Sequence, residues 1–311
     1  MKNTNHPQAG NTQNIWVVTV NWNQPKLTCE CVHSLQVKNA LSFSLVIVDN
    51  GSTDQSIEAL KEIKPDKLII NQTNLGFAGG YNVGIKYALD QGADYVFMVN
   101  NDTISQPKML DTLVSTAVQL DAELASPAVF YANAPDQIWS AGGAINPLLS
   151  APVDGHSRKK PLPKNPVRRD FLTGCALLIH KSVFERIGFF DETFFLYYED
   201  LDFLMRAKNY ALSAWLIPEA RLLHHVSGSI TRTSNEVFFF WMGYSSWIYF
   251  AKHAQLWQWV FILPWRLAHA LKLSAQFILT GRYNALSAYL SGNSAFIFKK
   301  PVHRQENTKA K

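Results

Sequence analysis

Three short polar residues, Asn100-Asn101-Asp102, follow directly on the apolar run Tyr95–Val99. A short apolar run bounded by turn-forming residues predicts a buried strand of a parallel sheet. Ligands of open α/β sheets bind beyond the carboxyl ends of the strands, so these side chains are expected to face a ligand crevice. A carboxylate beside two amides can hold a hard cation such as Mg²⁺, which takes few protein ligands and binds substrate phosphates. A plain turn is the alternative, because Asn and Asp are common turn residues.

A second carboxylate stands at a comparable place. Asp49 ends the apolar run at residues 43–48, which predicts another buried strand. In a doubly wound sheet Asp49 and Asp102 can face one crevice, where Asp49 could accept hydrogen bonds from a ribose or a base edge. The alternative is a cap for the following helix, a role that the polar residues 52–54 could also fill.

Three acids, Glu199, Asp200 and Asp202, open a predicted helix directly behind the aromatic run at residues 194–198. Acids in the first turn of a helix can also be explained by the helix dipole alone. The aromatic run, however, is expected to desolvate them, and a desolvated carboxylate has a raised pKa and makes a competent general base. The cluster therefore predicts a site of proton transfer.

Two further segments could contact a ligand. His224 and His225 offer a further ligand for a metal ion, with a structural role as the alternative. The glycines at residues 74–82 look like a nucleotide loop, but a dinucleotide fingerprint has to follow the first strand, where residues 21–25 stand instead. These glycines are expected to allow close backbone approach to a ligand or a tight start of a helix.

Strands and helices alternate in the first half of the chain. Apolar, β-branched runs predict strands at residues 15–20, 43–48, 67–70, 95–99 and 124–131. Helical spacing between these runs indicates βαβ units and a largely parallel sheet, an α/β fold. The later chain is expected to hold an irregular strand at residues 138–145, a strand at residues 214–217 and a mobile basic loop at residues 154–170.

The composition indicates one large folded domain with an appendage. Of 311 residues, 47% are apolar and 17% charged, which suffices for a sizeable core and excludes global disorder. Three cysteines without paired spacing argue against a disulfide framework and fit a reducing compartment. Residues 1–14 are polar, so no secretory signal is expected there.

The net charge of +5 is distributed unevenly. From residue 237 onward the chain has nine Lys or Arg and one acid, a net +8, whereas the remainder is −3. Such a basic segment predicts an anionic surface as its partner. Nucleic acid is not expected as a partner, because the basic loop at residues 154–170 lacks interleaved aromatic residues.

The basic C-terminal segment is also aromatic. Its uncharged runs at residues 237–251 and 256–265 are shorter than the roughly 20 residues of a membrane-spanning helix. Trp and Tyr beside Lys and Arg favour an interfacial helix that lies on an anionic membrane surface. Packing onto the preceding domain and a homodimer interface are the alternatives.

Several short motifs occur in an order and spacing that resemble family 2 glycosyltransferases, over residues 14–232. These motifs are Val20-Asn21-Trp22-Asn23, residues 46–54, Asn74-x-Gly76-Phe77-Ala78, Asn100-Asn101-Asp102, Thr173-Gly174, residues 189–192 and Glu199-Asp200-x-Asp202. The chain looks like the rhamnosyltransferase-like subgroup that builds bacterial surface polysaccharides such as the lipopolysaccharide O-antigen.

The resemblance implies a GT-A fold, a Rossmann-like, mixed and mainly parallel sheet that binds a nucleotide-diphospho-sugar. It implies an inverting, metal-dependent transfer of a sugar, with dTDP-L-rhamnose as the expected donor and a UDP-hexose or UDP-N-acetylhexosamine as alternatives. A lipid-linked glycan is the expected acceptor, which would place the enzyme in the cytoplasm, peripheral on the inner face of the cytoplasmic membrane. A nicotinamide-dependent oxidoreductase and an inactive scaffold are the competing classes.

The implied fold also suggests a division of the chain. We expect a disordered tail at residues 1–14, a GT-A catalytic domain at 15–235, an aromatic, basic helical appendage at 236–298 and a basic tail at 299–311. Within the catalytic domain, residues 15–105 would form the nucleotide-binding half and residues 106–235 the acceptor and catalytic half.

A reduced metal site is implied by the same resemblance. Asn100-Asn101-Asp102 replaces the family's DxD motif and keeps only its last acid. Asp102 would therefore bind Mg²⁺ or Mn²⁺ together with His224, with His225 competing for that role. Because a single carboxylate supplies few ligands, the metal is expected to bind weakly without the donor and much more tightly with it.

The remaining roles are carried over in the same way. Asp200, with Glu199 beside it, would be the catalytic base, and Asp202 is a secondary candidate. The residues expected to bind the donor are Asn21, Asp49, Asn74, Gly76, Asn101 and Gly174.

Overall fold

The computed structural model describes residues 13–154, 161–225, 234–299 and 302. The expected tails at residues 1–14 and 299–311 lie almost entirely outside the described residues, as does the centre of the expected loop at 154–170. Asn14 is described, and its backbone N–H donates to Oδ2 of Asp94 over 2.9 Å.

The described chain forms strands and helices in the expected alternation. The strands are β1 Ile15–Asn21, β2 Ser44–Asp49, β3 Lys67–Ile70, β4 Tyr95–Val99, β5 Thr103–Ser105, β6 Leu124–Tyr131, β7 Ala134–Ser140, β8 Gly143–Asn146, β9 Ala151–Asp154, β10 Val167–Arg168, β11 Ala176–His180 and β12 Ala214–His224. The helices are α1 Pro25–Lys38, α2 Ser56–Glu62, α3 Gly76–Asp90, α4 Met109–Gln119, α5 Lys181–Ile187, α6 Glu199–Asn209, α7 Ser234–His253, α8 Trp259–Leu279 and α9 Tyr283–Ile297.

The main sheet has a parallel half and a mixed half. Its strand order is β3-β2-β1-β4-β11-β6-β12-β10, with β5 on β12 and β7 on β6. Strands β1 to β4 pair in parallel, whereas β11 is inserted antiparallel between β4 and β6. The mixed sheet confirms the predicted architecture and brings the carboxyl ends of β1, β2 and β4 to one edge.

Alternation along the central strands builds a core on each face of this sheet. Val18, Val46 and Met98 belong to one cluster, with α3 packed over them. Val17 and Phe97 belong to the other, which α1 and α4 cover. Because both faces are buried, the parallel strands are continuous apolar runs, which is what makes them visible in the sequence.

The strand predicted at residues 214–217 is longer than expected and continues to His224. β12 runs parallel to β6 for 11 residues, and its register shifts between Ile217 and Arg221. Pro218 lies in this irregular part of the strand, so the N–H that proline lacks does not remove a hydrogen bond between the strands. The sequence shows a break there, but the chain only bulges and continues to His224.

The C-terminal helices are longer than the uncharged runs suggested. α7 and α8 have 20 and 21 residues, and Pro264 lies inside α8 without ending it. None of the helices in the described ranges combines the length and hydropathy needed to span a bilayer. α7 packs against the segment that precedes α6, where Trp241 stacks on Phe195 with ring centroids 4.8 Å apart.

A buried ion cluster fastens α7 to α6. Oδ1 of Asp202 lies 2.7 Å from both Nζ of Lys252 and Nε2 of His253, and its Oδ2 accepts from Nε of Arg206 over 2.9 Å. Lys252 also contacts Asp191 at 2.6 Å. Burial opposes the charge of Asp202, but His253, Lys252 and Arg206 outweigh it and lower its pKa to about 2. We call these four residues, Asp202, Arg206, Lys252 and His253, the α6–α7 clamp.

We predict that Asp202→Ala lowers the free energy of unfolding by about 3 kcal/mol, because the cations of the clamp lose a fully buried counter-ion. The matched control is Lys181→Ala, which removes an exposed ion pair and should cost less than about 1 kcal/mol. The folded pKa of about 2 lies below the unfolded value of about 3.9, so the stabilisation is complete above the unfolded value and disappears as the pH falls towards 2. Urea unfolding of both variants between pH 2 and 7 measures this, and equal losses in the two variants would contradict it.

Candidate active site

The polar triplet after β4 directs its three side chains to three different elements. Oδ1 of Asn100 accepts from the hydroxyl of Tyr81 on α3 over 3.2 Å. Nδ2 of Asn101 donates to Oγ1 of Thr28 on α1 over 3.0 Å. Asp102 turns towards β12, so the triplet is a junction of α1, α3 and β12.

Asp102 and His224, the two residues expected to share a metal ion, lie beside each other. β5 and β12 pair so that Thr103 lies opposite His224, which brings Nε2 of His224 to 3.1 Å from Oδ1 of Asp102. Both side chains are buried, and Trp139 packs edge-on against the imidazole with ring centroids 4.4 Å apart. His225 contributes its backbone N–H, which donates to the carbonyl of Asp102 over 2.8 Å.

The donor set of this pair fits a divalent cation. A carboxylate oxygen and an imidazole nitrogen are ligands that Mn²⁺ accepts, and Mg²⁺ needs little more than a carboxylate and substrate oxygens. Nδ1 of His224 is buried and has no hydrogen-bond partner within the described part of the chain. The described residues contain no group of three or more His, Cys, Asp or Glu that could hold a metal, so a cation held by Asp102 and His224 would need substrate oxygens to complete its coordination.

Asn21 and Asp49 are the matching ends of β1 and β2, which pair in register at these two residues. Nδ2 of Asn21 donates to Oδ2 of Asp49 over 2.9 Å, and the backbone N–H and hydroxyl of Ser52 donate to the same carboxylate over 3.0 and 2.6 Å. Asn21 and Asp49 are fully buried. These three bonds hold Asp49 in a buried network at the edge of the sheet where a base or ribose would lie.

Thr28 connects this pair to the turn at residues 100–102. The sequence alone did not identify this role of Thr28. Its hydroxyl donates to Oδ1 of Asn21 over 2.8 Å while it accepts from Asn101. Pro25 opens α1, so Thr28 falls in the first turn and points back at the strand ends. The position of Pro25 four residues after Asn21 was the signal that could have identified it.

Asn74 and Gly76 belong to a second hydrogen-bonded network, which is centred on Asn50. Nδ2 of Asn50 donates to Oδ1 of Asn74 over 3.0 Å and to the carbonyl of Gly76 over 2.9 Å. Gly76 has φ +77°, and a Cβ there would collide with the backbone oxygen of Phe195. The glycine thus provides the tight start of α3 and docks that helix against the chain that leads to α6.

The acids Glu199 and Asp200 begin α6 beside Gly174. Oδ2 of Asp200 accepts from the backbone N–H of Gly174 over 2.9 Å, and a Cβ on that glycine would lie 2.9 Å from the Cβ of Asp200. Tyr197 and Tyr198 precede the acids with φ of +64° and +71°. Such left-handed residues are strained and occur often at functional sites, where the surrounding structure holds them in place.

Both acids have raised pKa values. Burial raises the pKa of Asp200, although the N–H groups of Gly174 and Leu201 partly counteract it. Burial, followed by the neighbouring charge of Asp200, raises the pKa of Glu199 well above the ordinary value. Oε2 of Glu199 is buried without a hydrogen-bond partner among the described residues.

The residues just before β11 connect Asp200 with the turn at residues 100–102. The carbonyl of Cys175 accepts from the backbone N–H of Asn100 over 2.8 Å, and Gly174 is its neighbour in the chain. Burial, and then the charges of Asp102 and Asp200 among others, raise the pKa of the Cys175 thiol well above its usual range. Gly174, which donates to Asp200, is thus the chain neighbour of the residue that bonds Asn100, two residues before Asp102, whereas Asp202, the secondary candidate, lies in the α6–α7 clamp.

The sequence model of the family “Glycosyl transferase family 2” matches residues 16–188. The chain belongs to this family. Its matched range includes Asn21, Asp49, Asp102 and Gly174, and Asp200 lies 12 residues beyond the end of that range. Membership identifies the protein as a glycosyltransferase, which excludes the oxidoreductase alternative.

Two curated relatives of this glycosyltransferase are named for rhamnosyl transfer. The dTDP-rhamnosyl transferase RfbF of Shigella flexneri is 25% identical over 215 residues, which cover 68% of this chain and 69% of that protein. The N-acetylglucosaminyl-diphospho-decaprenol L-rhamnosyltransferase of Mycobacterium tuberculosis is 27% identical over 239 residues, with coverage of 64% and 72%. The predicted likeness to rhamnosyltransferases is thereby confirmed at modest identity.

Solved structures confirm the GT-A fold. The mannosyltransferase PcManGT from Pyrobaculum calidifontis, in complex with GDP-Man and Mn²⁺, superposes with a TM-score of 0.60 at 12% identity and covers 94% of this chain and 89% of its own. GalNAc-T7 with UDP, GalNAc and Mn²⁺ gives a TM-score of 0.55 at 16% identity, covering 70% of this chain and 44% of its own. At these identities the likeness concerns the fold.

We predict that Thr28→Val weakens both folding and nucleotide binding by this glycosyltransferase. The change leaves Oδ1 of Asn21 and Nδ2 of Asn101 without their partner, and each buried unpaired group costs about 1–3 kcal/mol. Urea unfolding and calorimetric titration with a nucleoside diphosphate measure the two losses. Thr28→Ser keeps the hydroxyl and should behave like the wild type, and a Thr28→Val protein with unchanged stability would refute the assigned network.

Proposed function

We propose that this glycosyltransferase moves L-rhamnose from dTDP-L-rhamnose to a hydroxyl of a lipid-linked glycan, with inversion, during synthesis of a cell-surface polysaccharide. The observation that carries the proposal is the pair of hydrogen bonds by which Gly174 binds Asp200 and its neighbour Cys175 binds Asn100, two residues before the Asp102 that contacts His224. These residues supply one candidate metal site and one candidate base, which is the minimum that an inverting transfer needs.

The donor would lie across the carboxyl ends of β1, β2 and β4. We assign its nucleoside to Asn21, Asp49 and Asn101, which one hydrogen-bonded network joins through Thr28. Asn74, Gly76 and Gly174 would form the backbone walls of the crevice. The names of the two rhamnosyl-transferring relatives support dTDP-L-rhamnose over a UDP-sugar.

Asp102 and His224 would hold Mg²⁺ or Mn²⁺ against the diphosphate. A divalent cation at this place stabilises the negative charge that grows on the diphosphate as the bond from C1 to oxygen breaks. Asp102 supplies the charge, and Trp139 keeps the imidazole of His224 in position. The Mn²⁺ named in the two superposed structures supports a divalent ion in this fold.

Asp200 would take the proton from the acceptor hydroxyl as that oxygen attacks C1. The attack comes from the side opposite the leaving diphosphate, so the new bond has the inverted configuration and no covalent enzyme intermediate forms. The raised pKa of Asp200 suits a base, because a proton acceptor works best when its pKa lies near the working pH.

A lipid-linked acceptor would bring the enzyme to a membrane. The name of the Mycobacterium tuberculosis relative includes a diphospho-decaprenol carrier, which supports this acceptor class. On this proposal residues 15–105 bind the donor, residues 106–235 receive the acceptor, and the protein works peripherally on the inner face of the cytoplasmic membrane.

We predict that Asp200→Asn lowers the rate of transfer by about 10²–10⁴-fold, because the amide cannot accept the proton. Donor affinity, measured by calorimetry with dTDP-L-rhamnose and Mn²⁺, should stay within about twofold, because the amide retains the oxygen that accepts from Gly174. The wild-type rate should fall on acidification at a pH above the ordinary carboxyl range, because burial raises the pKa of the base. Asp94→Asn, which changes a partly exposed carboxylate in an ion pair, is the matched control. A fully active Asp200→Asn enzyme would rule out the assignment.

A further inference from the structure

Most of the exposed large apolar side chains in the described chain lie between Leu256 and Phe298. In α8 only Ile262 and Phe277 are buried. Val260, Leu263, Leu267, Leu271 and Ile278 recur at spacings of three, four or seven residues and are 49–72% exposed. These five side chains lie along one side of the helix, and we call them the outer stripe.

α8 also has an inner stripe that faces the protein. Ile262 and Phe277 are buried on it, and Arg266 lies between them with its guanidinium 3.9 Å from the ring centroid of Trp247. Nη1 of Arg266 donates to Ser246 over 2.9 Å. The inner stripe therefore packs against α7, whereas no described part of the chain packs against the outer stripe. A helix that is apolar on nearly all sides needs an apolar environment on each of them.

The charge around the outer stripe identifies its environment. Residues 256–299 contain no acid, and Lys272, Arg282 and Lys299 are exposed among them. Trp257 and Trp265 are also exposed in this region. Apolar side chains flanked by Lys, Arg and Trp match the boundary between the acyl chains and the anionic headgroups of a bilayer.

A second copy of the chain fits this surface less well. A two-fold dimer would place the same patch on both sides of the interface. In such a dimer the exposed Lys272 of α8 would be repeated on both sides, and residues 256–299 offer no acid to neutralise it. Like charges across an interface oppose association.

We propose that α8 lies in the headgroup region of an anionic bilayer, with the outer stripe inserted. The helix is fixed to the catalytic half through α7, because the α6–α7 clamp and the stack of Trp241 on Phe195 hold that helix. Bilayer contact therefore sets the orientation of α6, and with it the position of Asp200 relative to the membrane. The docking itself rests on the exposed surface and needs no particular donor or acceptor.

Vesicle binding of the full chain tests the proposal. Vesicles of phosphatidylglycerol and phosphatidylcholine should bind the wild-type protein at least about tenfold more tightly than vesicles of phosphatidylcholine alone. Leu267→Asp/Leu271→Asp should weaken binding to the anionic vesicles by at least about tenfold. Val37→Asp is the matched control, because Val37 is 66% exposed in α1 and Leu267 is 62% exposed. Wild-type protein that ignores anionic vesicles, or a double variant that binds them like the wild type, would overturn the proposal.

Further measurements distinguish a loss of vesicle binding from unfolding of the variant and from the loss of a dimer. Circular dichroism and thermal unfolding should be unchanged in Leu267→Asp/Leu271→Asp, because both side chains are exposed. Light scattering without lipid should give a monomer mass for the wild type, and a dimer that the double variant converts to a monomer would identify the outer stripe as a dimer interface instead. Transfer to a water-soluble acceptor should survive in the variant. Failure of the wild type to bind vesicles would contradict the membrane proposal, whereas failure of the wild type to transfer the sugar would contradict the proposed function.

Discussion

The contact between Asp102 and His224 depends on the whole mixed half of the sheet. Asp102 follows a strand of the parallel half, and His224 ends a strand that crosses to the far side of the sheet. They meet at 3.1 Å only because β5 pairs antiparallel with the end of β12. β12 in turn is placed by its parallel pairing with β6, whose neighbour β11 leads back to β4. The contact between Asp102 and His224 is thus positioned by the registers of five strands.

α6 shows how two carboxylates in neighbouring positions acquire opposite properties. Asp200 is half-buried and accepts from two backbone N–H groups, but desolvation outweighs these bonds and raises its pKa. Asp202, half a turn further, is surrounded by Arg206, Lys252 and His253, and its pKa falls to about 2. The raised pKa suits a proton acceptor, whereas the ion pairs of Asp202 hold α6 to α7. The difference arises from the helices that pack on either side.

The sequence predicted those parts of the site that local patterns determine. Asp49 and Asp102 follow continuous apolar runs, and runs of this kind indicate buried parallel strands wherever they occur. The acids of α6 are visible because they follow an aromatic run. Thr28 escaped notice because its role comes from contacts with Asn21 and Asn101, which are distant in the sequence.

Nonlocal contacts also explain the other differences. The clamp role of Asp202 requires α7, which lies some 50 residues further along the chain, and only the folded structure brings Lys252 and His253 to it. The choice between His224 and His225 depends on the register of β12 against β5, which no local pattern encodes. The unbroken course of β12 through Pro218 depends on β6 as a template.

The central claim is that a single carboxylate acts at this site without forming a bond to the sugar. Proton NMR of the anomeric signals during turnover of dTDP-L-rhamnose with a soluble acceptor tests it most directly. The account predicts that the first product formed has the anomeric configuration opposite to that of the donor. A product with retained configuration would contradict it, because retention would require a second nucleophile and a covalent or ion-paired intermediate that Asp200 alone does not provide.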